Sequence, residues 1–364
     1  MDLNEGVAMT DGTETATASS APRGLKGRRR SVDVENRELV TITTLNEQPE
    51  AMPAVVQPAA QGVDLVAWAE THREEFETLL VQHGAVLFRG FGLVAPPEFE
   101  AVVSALVPDL FADYGDLPKE ESGQRIYHST PYPNDMAILF HNESSHLPSW
   151  PTRQFFFCVQ PSPTGGNTPL LDCEAAMHLI DPGLLERLET KGLCYVRNFV
   201  PGVDVSWQDF FKTDDRAEVE RQCAEEAMTC EWIGEVLRVK NFTAAVRVHP
   251  QRGTKVFFNQ VQLHHSSCLD PSTRQALLDI CGEEIALPRN VLYGDETAIS
   301  DADMEHLNDV FFANCVQFSW EAGDIIAVDN MRASHARLPY EGPRKITVAM
   351  GRMHSHAEAQ ALAS

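Results

Sequence analysis

Positive charge is scarce in this sequence: 29 Lys and Arg stand against 53 Asp and Glu, a formal charge of −24 over 364 residues. A chain this acidic lacks the basic surface that nucleic-acid phosphates and anionic membranes require. The plain reading of the excess is solubility. No apolar run approaches the roughly 18–20 residues of a membrane span. The first residues are acidic and Thr/Ala-rich, without the basic start and apolar core of a secretory signal. Cysteine is present but unorganised. Cys158, Cys173, Cys194, Cys223, Cys230, Cys268, Cys281 and Cys315 scatter through the chain, several in apolar segments, and no two form a C-x-x-C pair. That argues against a zinc ribbon or a disulfide framework and for reduced thiols in the cytoplasm. Neither "GLVAPPE" nor "PSPTGG" has the strand–Gly-rich–helix context of a phosphate cradle. No Ser/His/Asp or Cys/His nucleophile pattern stands out.

The organisation that remains is simple. Residues 1–22 have little to bury and are expected to be disordered. "RGLKGRRR", residues 23–30, is a basic run, and the whole arm extends to about residue 35. Residues 36–61, with Pro53 to Pro58, read as an extended lead-in. A single globular domain is expected over 62–355, followed by a tail, 356–364. Leu65, Trp68, Phe76, Leu79 and Leu80 recur at helical spacing, and Gly84 stands where a C-cap should. A strand follows at 85–91, and a second helix at about 97–108. Further helices are expected near 174–190, 215–229, 271–285 and 301–314. Between them lie short β-branched or aromatic runs such as "RQFFFCVQP", "TPLLDC", "GLCYVRNF" and "VFFNQ", and later "VQFSW", "DIIAVDN" and "KITVAM". Many short strands without βαβ alternation predict a mainly β protein, a sandwich or jelly roll flanked by helices.

One stretch carries chemistry. In "MAILFHNESSHLP" an apolar run, Met136 to Phe140, reads as a buried strand and ends in His141 and Glu143. Alternation along a strand would point these two side chains to the same face. A third donor is available in His335, just past the strand "DIIAVDN", and Arg344 begins the strand after the turn "LPYEGP". Two His and one carboxylate make the facial triad of non-haem Fe(II) oxygenases, whose other coordination positions stay open. The absence of thiolate donors argues against a structural zinc site.

The segment "LFHNESSHLPSWPTRQFFFCVQPSPTGGNTPLLD" resembles the metal strand of the taurine dioxygenase-like (TauD/TfdA, clavaminate synthase-like) 2-oxoglutarate oxygenases. "WEAGDIIAVDNMRASHARLPYEGPRKITVAM" resembles the family's C-terminal motif, and the likeness covers roughly residues 60–355. It implies a double-stranded β-helix core (a cupin-like jelly roll), Fe(II), 2-oxoglutarate as cosubstrate, and O₂. Position by position, it implies His141, Glu143 and His335 as metal ligands and Thr168, in "GGNT", as a 2-oxoglutarate contact. Arg344, rather than the adjacent Lys345, matches the arginine that holds the far carboxylate, a role that suits a bidentate guanidinium. The family's frequent second arginine is missing, since position 348 is Val. The related halogenases have a small residue where Glu143 stands, so halogenation is disfavoured.

The resemblance is to natural-product hydroxylases. It implies a small, amino-acid-derived substrate, free or bound to a carrier protein, for which the basic 23–30 run is the obvious point of attraction. Desaturation, epoxidation or cyclisation by the same cofactors stays open, as does a catalytically silent metal-binding jelly roll. Asn259, at the end of "VFFNQ", and Arg197, within "CYVRNF", are candidate substrate contacts. His146, His264 and His265 read as non-ligands.

Overall fold

A computed structural model describes residues 39–46, 48, 51–111, 119–129 and 132–355. The expectations for the arm, 1–35, and the tail, 356–364, lie outside these residues.

In chain order the strands are β1 (Val40–Thr44), β2 (Ala54–Pro58), β3 (Ala85–Phe88), β4 (Tyr127–His128), β5 (Ile138–His141) and β6 (Ser149–Gln160). Next come β7 (Thr164–Gly165), β8 (Leu170–Asp172), β9 (Leu193–Phe199), β10 (Thr229–Ile233), β11 (Val236–Thr243) and β12 (Val246–Val248). The last are β13 (Lys255–Phe257), β14 (Arg289–Tyr293), β15 (Ile325–Asp329), β16 (Ala333–Arg337), β17 (Tyr340–Glu341) and β18 (Lys345–Ser355). Seven strands form the major sheet, in the order β1-β2-β3-β15-β6-β18-β4, and β5-β16-β8 form a minor sheet across from it. This is the jelly-roll core. The inserted segment between β8 and β15 contributes a further sheet, β10-β11-β9-β14.

Strand β6 shows why the two faces differ. Phe155 and Phe157 point outward, stacked on Phe76 at 6.2 Å and Phe99 at 5.2 Å, from helices Arg73–His83 and Pro96–Leu106. Phe156 and Cys158 point inward, with Ile326, Val328, Ile346, Val348 and Met350. All four ring partners on the outer face are fully buried, each contributing about 1.5–3 kcal/mol by area. The part of β6 from Phe155 to Val159 is covered on both sides, which is why that run is continuously apolar rather than alternating.

The lead-in is where expectation and structure part. Residues 40–44 and 54–58 are strands, not a linker. Strand β1 pairs with β2, and β2 runs parallel to β3. Val40, Ala54 and Val56 are buried in the helix-side core, so the domain begins before residue 62. Pro53 and Pro58 flank β2, positions a strand tolerates. The first expected helix is two, Leu65–Thr71 and Arg73–His83. His72 interrupts it: its ring stacks on Trp68 at 5.0 Å and its Nδ1 lies 2.9 Å from the Trp68 carbonyl oxygen, competing for the backbone there. Gly84 does cap the second helix, at φ +72°, its N–H donating to Leu80 O. The helix expected at 174–190 is also split, into Cys173–Ala176 and Pro182–Lys191, because Pro182 starts a new helix capped by Asp181. "VQFSW" is not a strand; Val316 makes a single bridge to Leu170, while Phe318 and Trp320 pack under the major sheet. Among the described residues no helix is long and apolar enough to cross a membrane.

Candidate active site

His141 is the last residue of β5, and β16 sets His335 directly opposite it. The imidazole centroids are 4.2 Å apart. The Glu143 carboxylate lies 3.9 Å from His141 Nε2. One donor atom from each of the three residues falls within 4.8 Å of the others, and among the described residues no fourth His, Cys or acidic side chain joins them.

Strand alternation is not what brings Glu143 there. Strand β5 ends at His141, and a turn delivers the carboxylate. The turn is held by Asn330, fully buried just past β15. Its Oδ1 accepts from the Glu143 N–H at 2.7 Å, and its Nδ2 donates to Glu143 O at 2.9 Å and Pro151 O at 2.7 Å. Asn142 Nδ2 in turn donates to Asn330 O at 2.7 Å.

Two features fit a metal ion. His141 Nδ1 sits 2.8 Å from Leu139 O; that bond takes the Nδ1–H and leaves Nε2 as the lone pair facing Glu143. His335 Nδ1 is buried with no hydrogen-bond partner among the described residues, an arrangement that is costly unless something outside the protein is bound. Burial, and then the neighbouring His141, push the His335 imidazole well below its ordinary value. It is therefore neutral, the form that ligates.

The same cavity is lined by Thr168 and Arg344, walled by Phe156, Ile346 and Val348. Thr168 Oγ1 accepts from the Trp320 indole N–H at 3.1 Å, so its own hydroxyl proton remains for another acceptor. Arg344 Nε donates to Gly166 O at 3.1 Å, and among the described residues Arg344 makes no ion pair. Burial, with Arg337 nearby, lowers its guanidinium to about 10. Gly166 is at φ +72°, and a Cβ there would stand 3.0 Å from the Arg344 side chain and 2.4 Å from Ser162 Oγ. Only glycine lets this backbone hold the arginine so closely. Lys345 leaves the cavity and pairs with Glu120 at 2.9 Å.

Asn259 and Arg197, the candidate substrate contacts, do not line this cavity. Asn259 is buried with its amide engaged on backbone: Nδ2 donates to Ala245 O at 3.1 Å and Oδ1 accepts from Val261 N at 3.1 Å. Its main chain also receives the Asn142 N–H at 3.2 Å, so it braces the start of the turn that carries Glu143. Arg197 lies on β9, 3.5 Å from Asp204 and over the rings of Phe199 and Phe210. His146 packs 5.0 Å from His264 and 5.7 Å from Tyr195. Burial, then Arg289 and Arg197, hold it down at about 4. His265 Nε2 is 3.1 Å from Ile299 O. Asn330, Trp320, Gln154 and Arg337 were not anticipated. Of these only Arg337 carried a legible signal, since it is two residues from His335 on one strand and must share its face.

Two imidazoles and one carboxylate, with an arginine in the same cavity that has no ion pair among the described residues, match the donor set of a mononuclear non-haem oxygenase site. The description of the taurine catabolism dioxygenase TauD, TfdA family matches residues 50–350. The chain belongs to that family and is an Fe(II)- and 2-oxoglutarate-dependent dioxygenase. It is 34% identical over 276 residues to the dapdiamide synthesis protein DdaC of Enterobacter agglomerans, covering 75% of this chain and 84% of that one. It is 25% identical over 323 residues to the clavaminate synthase-like protein At3g21360 of Arabidopsis thaliana, covering 83% and 94%. The fold matches that of PvcB from Pseudomonas aeruginosa with a TM-score of 0.51 at 14% identity, over 87% of this chain and 92% of that one.

Proposed function

We propose that this dioxygenase hydroxylates an unactivated C–H bond of an amino-acid-derived small molecule, free or tethered to a carrier protein, in a cytoplasmic biosynthetic pathway. In this reading His141, Glu143 and His335 hold Fe(II), and Arg344 with Thr168 holds the far carboxylate of 2-oxoglutarate. The observation that carries it is the meeting of the three donors with a buried arginine that has no acidic partner among the described residues. A biosynthetic role is supported by the relative named for dapdiamide synthesis.

When bound, the iron and cosubstrate supply the oxidising chemistry, in which O₂ is consumed and 2-oxoglutarate leaves as succinate and CO₂. The chain's own residues do the rest. Leu139 O fixes the ring of His141, and Asn330 fixes the turn that carries Glu143. The Trp320 N–H occupies one lone pair of Thr168 Oγ1 and leaves its proton for a carboxylate, while Gly166 O steers the guanidinium of Arg344. Phe156, Ile346 and Val348 keep water from the reacting centre.

Purified protein given Fe(II), 2-oxoglutarate, O₂ and a panel of amino acids, free and carrier-loaded, tests the reading. The expected result is succinate above the substrate-free background and a product heavier by one oxygen atom. A product lighter by two hydrogens would replace hydroxylation with desaturation. His335→Ala should lose both iron and turnover; full activity in that variant would overturn the ligand assignment.

A further inference from the structure

Arg337 is engaged in a way the triad does not require. It lies two residues beyond His335 on β16, is 8% exposed, and lines the same cavity. Among the described residues it makes no ion pair. Nη1 donates to Tyr132 O at 3.1 Å, and Nη2 donates to Pro133 O at 2.5 Å and Met136 O at 2.6 Å. Three carbonyls of one short segment thus converge on one guanidinium. Tyr132 and Tyr340 flank it, with ring centroids 5.5 and 5.3 Å from its Cζ.

That segment, 132–137, leads directly into β5 of the minor sheet, the strand that ends in His141. Ser129 and Ile138, beyond its two ends, line the cavity. A second tether holds it. Tyr340 N donates to Asn134 O at 2.8 Å, and Asn134 Nδ2 donates to Tyr340 O at 3.3 Å. Both tethers anchor the strap to the chain between His335 and Arg344. A flexible lysine point charge would not reproduce the three-way fork. The remaining buried donor, Arg337 Nε, has no partner among the described residues.

The geometry points to Arg337 as a positioning residue: it latches the 132–137 strap over the 2-oxoglutarate cavity and thereby sets how tightly the cosubstrate is retained. The inference rests on the cosubstrate reading of that cavity given above. Two measurements test it. Hydrogen exchange of the 132–140 peptide in metal-free protein reads the strap itself, and the KM for 2-oxoglutarate reads the consequence.

Arg337→Gln should exchange faster in that peptide and raise the KM by about tenfold, with kcat at saturation within about twofold and iron per chain unchanged. Arg337→Lys, which keeps the charge and loses the fork, should resemble the glutamine variant. Wild-type exchange and wild-type KM in Arg337→Gln would overturn the proposal. So would a loss of iron and kcat in step with KM, which would mark Arg337 as a support of β16 alone. If Arg337→Gln does not fold, Asn134→Ala loosens the other tether and should shift both readouts the same way by a smaller factor; no shift there would overturn it. A wild-type protein that retains iron yet shows no 2-oxoglutarate dependence defeats the cosubstrate reading, while the exchange measurement still decides the latch.

Discussion

At the scale of single residues, under the proposed function, Arg344 and Thr168 divide the recognition of one carboxylate between a charge and a hydroxyl. Desolvation pulls the Arg344 guanidinium down to about 10, which leaves it charged at neutral pH. A buried cation without an acidic partner is costly, and a ligand carboxylate relieves that cost. Arg344→Ala should therefore act mainly on cosubstrate binding, raising the 2-oxoglutarate KM by about two orders of magnitude, as expected for about 2–3 kcal/mol from a charged hydrogen-bonded contact. Iron content should be unchanged, since no metal donor is touched. Initial rates against 2-oxoglutarate concentration measure this, and an unaltered KM would remove Arg344 from the cosubstrate site. Trp320→Phe should have a milder effect of the same kind. It removes the donor that occupies Thr168 Oγ1 and frees the hydroxyl to turn away, a change of about threefold to tenfold in KM for one neutral hydrogen bond.

At the scale of elements, the turn after β5 and the turn after β15 are one unit. Asn330 is fully buried, and its amide satisfies the Glu143 N–H, the Glu143 carbonyl and the Pro151 carbonyl together. Asn330→Ala leaves three backbone groups, one buried and two part-buried, unpaired at up to about 1–3 kcal/mol each. The expected outcome is a loss of at least about 3 kcal/mol in chemical denaturation and faster loss of iron to a chelator, because Glu143 is no longer held. A variant as stable as the parent with normal iron retention would contradict the role. These two turns also mark what the sequence disclosed. The apolar run into His141 and the strand before His335 were legible because burial writes itself as hydrophobic pattern. Glu143 does lie beside His141, but not through strand alternation: a side chain 187 residues away in the chain fixes the turn. Nothing local in "DNMRASH" marks Asn330 as that brace. The lead-in was misjudged for a similar cause. Pro53 and Pro58 read as linker punctuation, yet pairing with β3, supplied by a distant segment, makes 54–58 a strand. Tertiary pairing overrides local signals where neither face nor period is distinctive.

At the scale of the whole molecule, a buried ion network joins the helix layer to the turn after β15, and it sets an acid limit on stability. Asp329 and Arg153 are buried almost completely, with Arg153 Nη1 donating to Asp329 Oδ2 at 3.0 Å and His249 Nε2 3.1 Å from the same oxygen. Arg153 Nη2 reaches Glu77 on helix Arg73–His83 at 2.8 Å, and Arg352 of β18 meets the same Glu77 oxygen at 2.8 Å. Burial alone would raise the Asp329 carboxyl, but the charge of Arg153 and the bond to His249 outweigh it and hold it at about 2. In the unfolded chain the same group titrates near 3.9. Between these values the unfolded state binds the proton, so folding stability rises with pH. The contribution, about 2–3 kcal/mol, is complete above roughly pH 4 and is lost as pH falls from 4 toward 2. Asp329→Asn should destabilise the protein at neutral pH by about 3–5 kcal/mol, because it strips Arg153 of its deepest partner. It should also remove one protonation step from the acid limb. Urea unfolding of both proteins from pH 7 to pH 2 measures this directly. The free-energy gap between them should be constant down to about pH 4 and narrow below it, and a gap that stays the same to pH 2 would show that Asp329 is not the carboxylate on which acid stability turns.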